Sequence, residues 1–119
     1  MTTHPAKHNL YVYRGATFSE AITWKDENAT PIDLTGFTAR MQMRETVEAS
    51  TPFLTLTTEN SGITLGGAAG TINILATAAA TSAITASAGV YDLEIVAGDG
   101  VTVTRLVEGL VFISPEVTR

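Results

Sequence analysis

The chain has no cysteine in its 119 residues, which excludes disulfides and thiolate metal sites and leaves packing as the only source of stability. Charge is also scarce. Charged residues make up 16% of the sequence, against about 25% in an ordinary soluble domain, so part of the surface is expected to be covered by something. Twelve acidic side chains outnumber seven basic ones, giving a net charge of −5. They are spread along the chain, with none of the Lys and Arg clustering that a phosphate-backbone binder needs. No apolar run approaches the ~18 residues of a membrane span. The opening MTTHPAKHNL lacks the apolar stretch of a signal peptide, so the expectation is a soluble protein that its own sequence does not send for export.

What is abundant is threonine and alanine, which suit strand faces and close sheet contacts. The organising stretch is residues 90–113, VYDLEIVAGDGVTVTRLVEGLVFI, which reads as a long β-hairpin. Asp99 and Gly100 between alternating runs signal a type I′ turn, where both central positions need φ > 0. That turn puts Val96 opposite Val103, Ile95 opposite Thr104, Glu94 opposite Arg105 and Leu93 opposite Leu106. Glu94 and Arg105 then form a structural cross-strand ion pair. Tyr91, Leu93, Ile95, Leu106, Leu110 and Phe112 fall on one face. Val90, Val96, Val101, Val103, Val107, Val111 and Ile113 make the other face apolar too. A ribbon apolar on both sides is expected to be buried on both sides. Either the N-terminal arm and a helix cover the second face, or another subunit does.

The rest of the chain reads as shorter strands. Residues 1–8 are polar, contain Pro5, and form an arm expected to have no structure of its own; residues 9–119 form a single domain. His4 and His8 lack a third ligand nearby and do not make a metal site. Residues 9–14 alternate, Gly15 breaks the run, and residues 17–25 resume it with Phe18, Ile22 and Trp24 on one face. Glu20 interrupts that face and should be paired or wet. Residues 37–45 are the cleanest two-sided strand, with Phe37, Ala39, Met41 and Met43 inward and Thr38, Arg40, Gln42 and Arg44 outward. Residues 53–58 form a short strand, and residues 63–65 and 71–75 a second hairpin across a Gly-rich turn that matches no phosphate-binding pattern. Residues 76–87 hold the one helical candidate, with Thr77 as N-cap and Ile84 buried against the sheet. The fold class is thus all-β: an antiparallel sandwich of about seven to eight strands with one short helix in a crossover.

No reaction centre emerges. Asp92 and Glu94 lie two apart on one strand face, about 7 Å from each other, but an ion pair accounts for them better than a glycosidase dyad does. Both histidines sit in the arm, away from any Ser-His-Asp geometry. The chain is therefore read as a non-enzyme without cofactor or metal, acting through protein–protein docking. The candidate interface is Val103, Val107, Val111 and Ile113 on the second face of the hairpin, with Arg40 and Arg44 as the nearest approach to a basic patch. A carbohydrate-binding sandwich, with Trp24, Tyr11 and Tyr13 as its sugar platform, is the reading from a different class.

Four segments in order, YRGATFSEAITWKDENATPIDLTGFTARMQMRE, GITLGGAAGTINILATAAATSAI, AGVYDLEIVAGDGVTVTRLVEG and ISPEVTR, resemble a family of small tailed-bacteriophage virion proteins. The likeness is to the N-terminal domain of phage upper baseplate proteins and to short stand-alone virion proteins, and it covers nearly all the chain after residue 10. It implies a β-sandwich that docks as a structural part onto a tail, baseplate or fibre-attachment platform, with other phage structural proteins and copies of itself as partners. A capsid decoration or cement protein is the alternative within virions. The resemblance implies no catalytic residues, no nucleic-acid or membrane partner, and a location in the virion after assembly in the host cytoplasm. The long helical and receptor-facing regions of the baseplate proteins are missing from this sequence.

Overall fold

A computed structural model describes residues 5–118. Residues 1–4, carrying His4 and half of the expected arm, and residue 119 lie outside the described residues. In chain order the strands are β1 (Ala6–Lys7), β2 (Leu10–Tyr13), β3 (Phe18–Thr23), β4 (Thr38–Arg44), β5 (Leu54–Thr57), β6 (Ile63–Leu65), β7 (Thr71–Ala76), β8 (Ala88–Val96) and β9 (Val103–Ser114). Among the described residues the one α-helix, α1 (Ala78–Ser82), joins β7 to β8. Thr77 caps it as expected, its hydroxyl accepting from Ala80 N at 3.1 Å, and Ile84 just beyond is buried.

Two sheets form the expected sandwich. The large one runs β1-β9-β8-β4-β5, with β2 also on β9, and the small one runs β3-β7-β6. The core lies between them, built from alternate residues such as Met41 and Met43 of β4, Leu93 and Ile95 of β8, and Ile72 and Ile74 of β7. Phe37 and Trp24 pack partly buried against it. Each strand buries one side because its apolar residues recur with period two. In β4, Ala39, Met41 and Met43 are buried while Thr38, Arg40 and Gln42 are exposed, as the sequence predicts. β6 and β7 form the expected second hairpin, closed by a 3-10 turn over Gly67–Ala69.

Three details differ from the sequence reading. First, β1 and β2 both pair with β9 in parallel, so the described part of the arm lies on an edge of the large sheet. Parallel pairing is available because the chain crosses from one sheet to the other between β2 and β3 and never needs a hairpin there. Second, the long hairpin does not close with a type I′ turn. Only Gly100 has a positive φ, at 73°, and Gly100 N donates to Ala97 O at 2.9 Å. The Asp99 carboxylate accepts from Val101 N and Thr102 N at 2.8 and 2.9 Å, fixing the turn from its side chain.

Third, the hairpin register slips. Val96 faces Val103, Ile95 faces Thr104 and Glu94 faces Arg105 as expected, but Leu93 faces Val107, not Leu106. Leu106 is therefore the extra residue of a β-bulge, and beyond it every side chain of β9 changes face. Leu106 and Val107, adjacent in sequence, are both buried.

Candidate docking surface

The bulge decides what the long hairpin presents to solvent. Val107, Val111 and Ile113 point inward and are 5%, 0% and 5% exposed, so they belong to the core. Their placement on an open second face is corrected by the structure: the alternation was carried through Leu106, where the strand changes phase. Val103, on the tip side of the bulge, does lie on the surface.

The same slip turns Leu110 and Phe112 outward, at 46% and 40% exposed. Phe112 faces Tyr11 across the parallel β2–β9 pair, and their rings stack with centroids 5.5 Å apart and planes 21° from parallel. Tyr13, two residues along β2, shares that face and is also exposed. Half-buried Val90 of β8 faces Leu110. Together these residues form an apolar strip on the outer face of the large sheet. Tyr11 and Tyr13 do not join Trp24, whose backbone bonds to Gly70 and Ile32 beside the small sheet, so the three-aromatic sugar platform is not assembled. Consecutive Leu106 and Val107, following the alternating run Val103-Thr104-Arg105, were the signal that could have located the change of phase.

Toward the hairpin tip the outer face becomes charged. Glu94 and Arg105 face each other across the backbone, yet their side chains bond elsewhere. Arg40 Nε reaches Glu94 Oε1 at 2.8 Å, because β4 flanks β8 on the other side and places Arg40 opposite Glu94. Arg105 lies 3.5 Å from Asp92 Oδ2 and 3.3 Å from Glu108 Oε1, beside a bulge of the kind that re-aims a neighbouring side chain. Lys7 of β1 pairs with Glu108 as well. The structural ion pair expected between Glu94 and Arg105 is thus replaced by a ladder across β4, β8, β9 and β1.

The cations of the ladder differ in what they do. Arg44 Nη1 donates to Ala49 O at 2.7 Å and Nη2 to Gln42 Oε1 at 2.8 Å, which holds the loop after β4 rather than offering a basic patch. A cavity of 460 Å³ opens between that loop and the ladder, lined by Gln42, Arg44, Val47, Val90, Asp92 and Glu108 among others. Burial raises the Asp92 carboxyl, and the neighbouring Glu94 charge adds to the rise, while Arg105 opposes it. Glu108 is held low by its hydrogen bond from Lys7.

On the opposite side of the large sheet, Tyr91 donates its hydroxyl to His8 O at 2.5 Å, and burial with the nearby Glu20 charge pushes its pKa up to about 12. Glu20, on the apolar face of β3, is paired as expected: its Oε1 lies 3.4 Å from His8 Nε2. Among the described residues no group of three or more His, Cys, Asp or Glu is placed to hold a metal ion. No described helix is long and apolar enough to cross a membrane. The arrangement offers contact surface and paired charge.

No family model matches the chain, and no curated protein matches it. Among solved structures it is similar to the extracellular domain of the voltage-gated sodium channel beta4 subunit, described as forming parallel homodimers that explain a role in cell–cell adhesion. That likeness has 11% identity and a TM-score of 0.51, covering 98% of each chain. A second structure, from work on multimeric cell-adhesive interactions of sodium-channel beta subunits, has 11% identity and a TM-score of 0.48 over 99% of this chain and 98% of the other. At such identity the first likeness supports the two-sheet sandwich alone.

Proposed function

We propose that this chain is a non-catalytic docking domain, a structural component of a tailed-bacteriophage virion in the tail, baseplate or fibre-attachment region. It works by seating the outer face of its large sheet on neighbouring structural proteins or on further copies of itself. The observation that carries the reading is the contiguous strip of Tyr11, Tyr13, Leu110 and Phe112, left open to solvent on a domain with few surface charges. Large apolar side chains gathered on one face and rimmed by paired charges mark an interaction surface more than a free one. The virion assignment comes from the order of the four resembling segments and not from the strip itself.

The test is two-part. Purified particles of the parent phage should contain the chain by mass spectrometry, and gold labelling should place it on the tail rather than the head. Labelling confined to the head would turn the reading to a capsid decoration protein. Phe112→Ser with Tyr11→Ser should give a folded chain, by circular dichroism, that no longer enters the particle. Normal incorporation of that folded variant would overturn the strip as the docking face.

A further inference from the structure

The segment Ala6 to Tyr13 pairs its backbone with one strand, β9, and its further contacts run to Tyr91, Glu20 and the core. β1 and β2 lie on β9 in one continuous parallel alignment, from Ala6 opposite Val107 to Tyr13 opposite Ser114. His8 N donates to Glu108 O at 3.0 Å, Leu110 N donates to Asn9 Oδ1 at 3.1 Å, and Tyr91 closes over His8 O. Leu10 and Val12 enter the core and are 2% and 0% exposed. All of these partners lie beyond residue 18, in the body of the domain. The body therefore needs an occupant on its β9 edge, and the fit is specific. Gly109 is notched for the His8 backbone, since a Cβ there would collide with His8 O. The one polypeptide shaped for that slot is this segment, whichever copy supplies it.

The link back to the body is short and is held by bonds from Arg14 N to Ser114 O, from Gly15 N to Thr81 Oγ1 and from Thr81 Oγ1 to Ala16 O. Residues 14–17 join β2 to β3. Ala16 N donates to Tyr13 O at 3.0 Å with Gly15 at φ 88°, the pattern of a type II turn, which needs a glycine at its third position. A Cβ on Gly15 would meet the Glu116 carboxylate. Arg14 Nη2 donates to Ala86 O at 3.1 Å, but Arg14 Nε is buried with no hydrogen-bond partner among the described residues. A short hinge that leaves a buried donor unpaired is a setting in which identical elements change partners between copies.

We propose that Ala6 to Tyr13 exchanges between two copies of this chain, each β9 edge receiving β1 and β2 of the other. The contacts of the slot are then kept in full, and residues 14–17 open into an extended link between the two bodies. The exchanged segment carries Tyr11 and Tyr13 with it, so the outer-face strip is rebuilt from two copies and remains free to dock elsewhere.

The absence of cysteine makes the test clean. Lys7 and Glu108 face each other across β1 and β9, and neighbouring strands lie within the Cα separation a disulfide allows. The double variant Lys7→Cys with Glu108→Cys gives a cross-linked monomer when the segment is in its own slot and a covalent dimer when it is exchanged. Mixing a Lys7→Cys chain with a Glu108→Cys chain at high concentration, then oxidising, should yield the heterodimer on a non-reducing gel. A double variant that closes only within one chain, with no heterodimer from the mixture, overturns the proposal. Gly15→Ala should raise the dimer fraction severalfold, because alanine resists φ 88° and suits the opened link. Should that variant fail to fold, inserting Gly-Ser-Gly after Gly15 decides instead: a relaxed hinge should lower the dimer fraction, and an unchanged fraction overturns the hinge's role. Leu110→Ser, which trims the strip but leaves the Tyr11–Phe112 stack across the slot in place, should leave the heterodimer yield intact. Loss of the heterodimer there would mean that face contact, not exchange, brought the chains together.

Discussion

The two halves of the long hairpin have similar sequences and different environments. On the tip side of Leu106, β8 and β9 obey simple alternation, with Ile95 buried and Val103 and Arg105 in solvent. On the base side β9 has neighbours on both edges, β8 and β2, and buries Val107, Val111 and Ile113 while exposing Leu110 and Phe112. The divider is one inserted residue. A ribbon that looks apolar on both sides is here a ribbon that changes phase once, so three of the seven residues of its second apolar face, Val107, Val111 and Ile113, are core. At the base the exposed apolar residues are Leu110 and Phe112 instead, beside their aromatic partners on β2.

The largest expected effect breaks that comparison at adjacent residues. Val111→Asp places a carboxylate in the fully buried inner face and should cost about 4 kcal/mol, a large share of the stability of a domain of this size. Phe112→Ser, one residue on, should cost only about 1 kcal/mol, the value of its ring stack on Tyr11. Urea denaturation of both variants measures the difference. Comparable losses would mean that β9 keeps a single phase through Leu106 and that the bulge is absent in solution.

The contrast also separates what could be read in advance from what could not. Period-two patterning was enough for β4, for the β6–β7 hairpin and for the sandwich as a whole, because each of those strands keeps one phase from end to end. Thr77 as helix cap and Ile84 as its buried anchor followed from local chemistry. The bulge did not, since its energy comes from how β9 meets β8 and the parallel strand beside it, and neither is visible in a local window. The charge ladder was missed for a related reason. Arg40 pairs with Glu94 across strands 54 positions apart, while the hairpin offered Arg105 as a nearer partner in sequence. Tyr11 was noticed as an aromatic, but its partner is Phe112, brought to it by a parallel pairing that sequence order does not suggest.

A middle-sized effect tests the inner side of the base half, where Tyr91 ties the N-terminal segment to the sheet. Tyr91→Phe leaves His8 O without that donor and should cost about 1–2 kcal/mol at neutral pH. It also changes the alkaline limb. Burial holds the folded pKa of Tyr91 up at about 12, above the ordinary tyrosine value of about 10, so between those values the unfolded chain loses a proton that the folded one keeps. Stability must fall as pH rises through that window, and below it the shift has no effect. The phenylalanine variant should lack this part of the fall. Parallel alkaline limbs in wild type and variant, followed by denaturant midpoints from pH 9 to about pH 12, would show that Tyr91 is not held in its buried, donating position.

The smallest effect sharpens the comparison on the outer side of the tip half, within the charge ladder. Arg105→Gln removes contacts of 3.3 and 3.5 Å at an exposed site and should change stability by less than ~0.5 kcal/mol. Arg40→Gln removes a bond of 2.8 Å and should cost somewhat more, up to about 1 kcal/mol. The informative reading is the titration of Asp92 by NMR. Burial and then Glu94 raise this carboxyl, and Arg105 is the first group that lowers it, so Arg105→Gln should raise it further. A raised carboxyl means that the folded state holds its proton to higher pH than the unfolded chain does. The variant should therefore lose stability as pH rises through the folded pKa of Asp92, relative to its own value in acid. An Asp92 titration unmoved by Arg105→Gln would place the guanidinium on Glu108 alone and shorten the ladder by one rung.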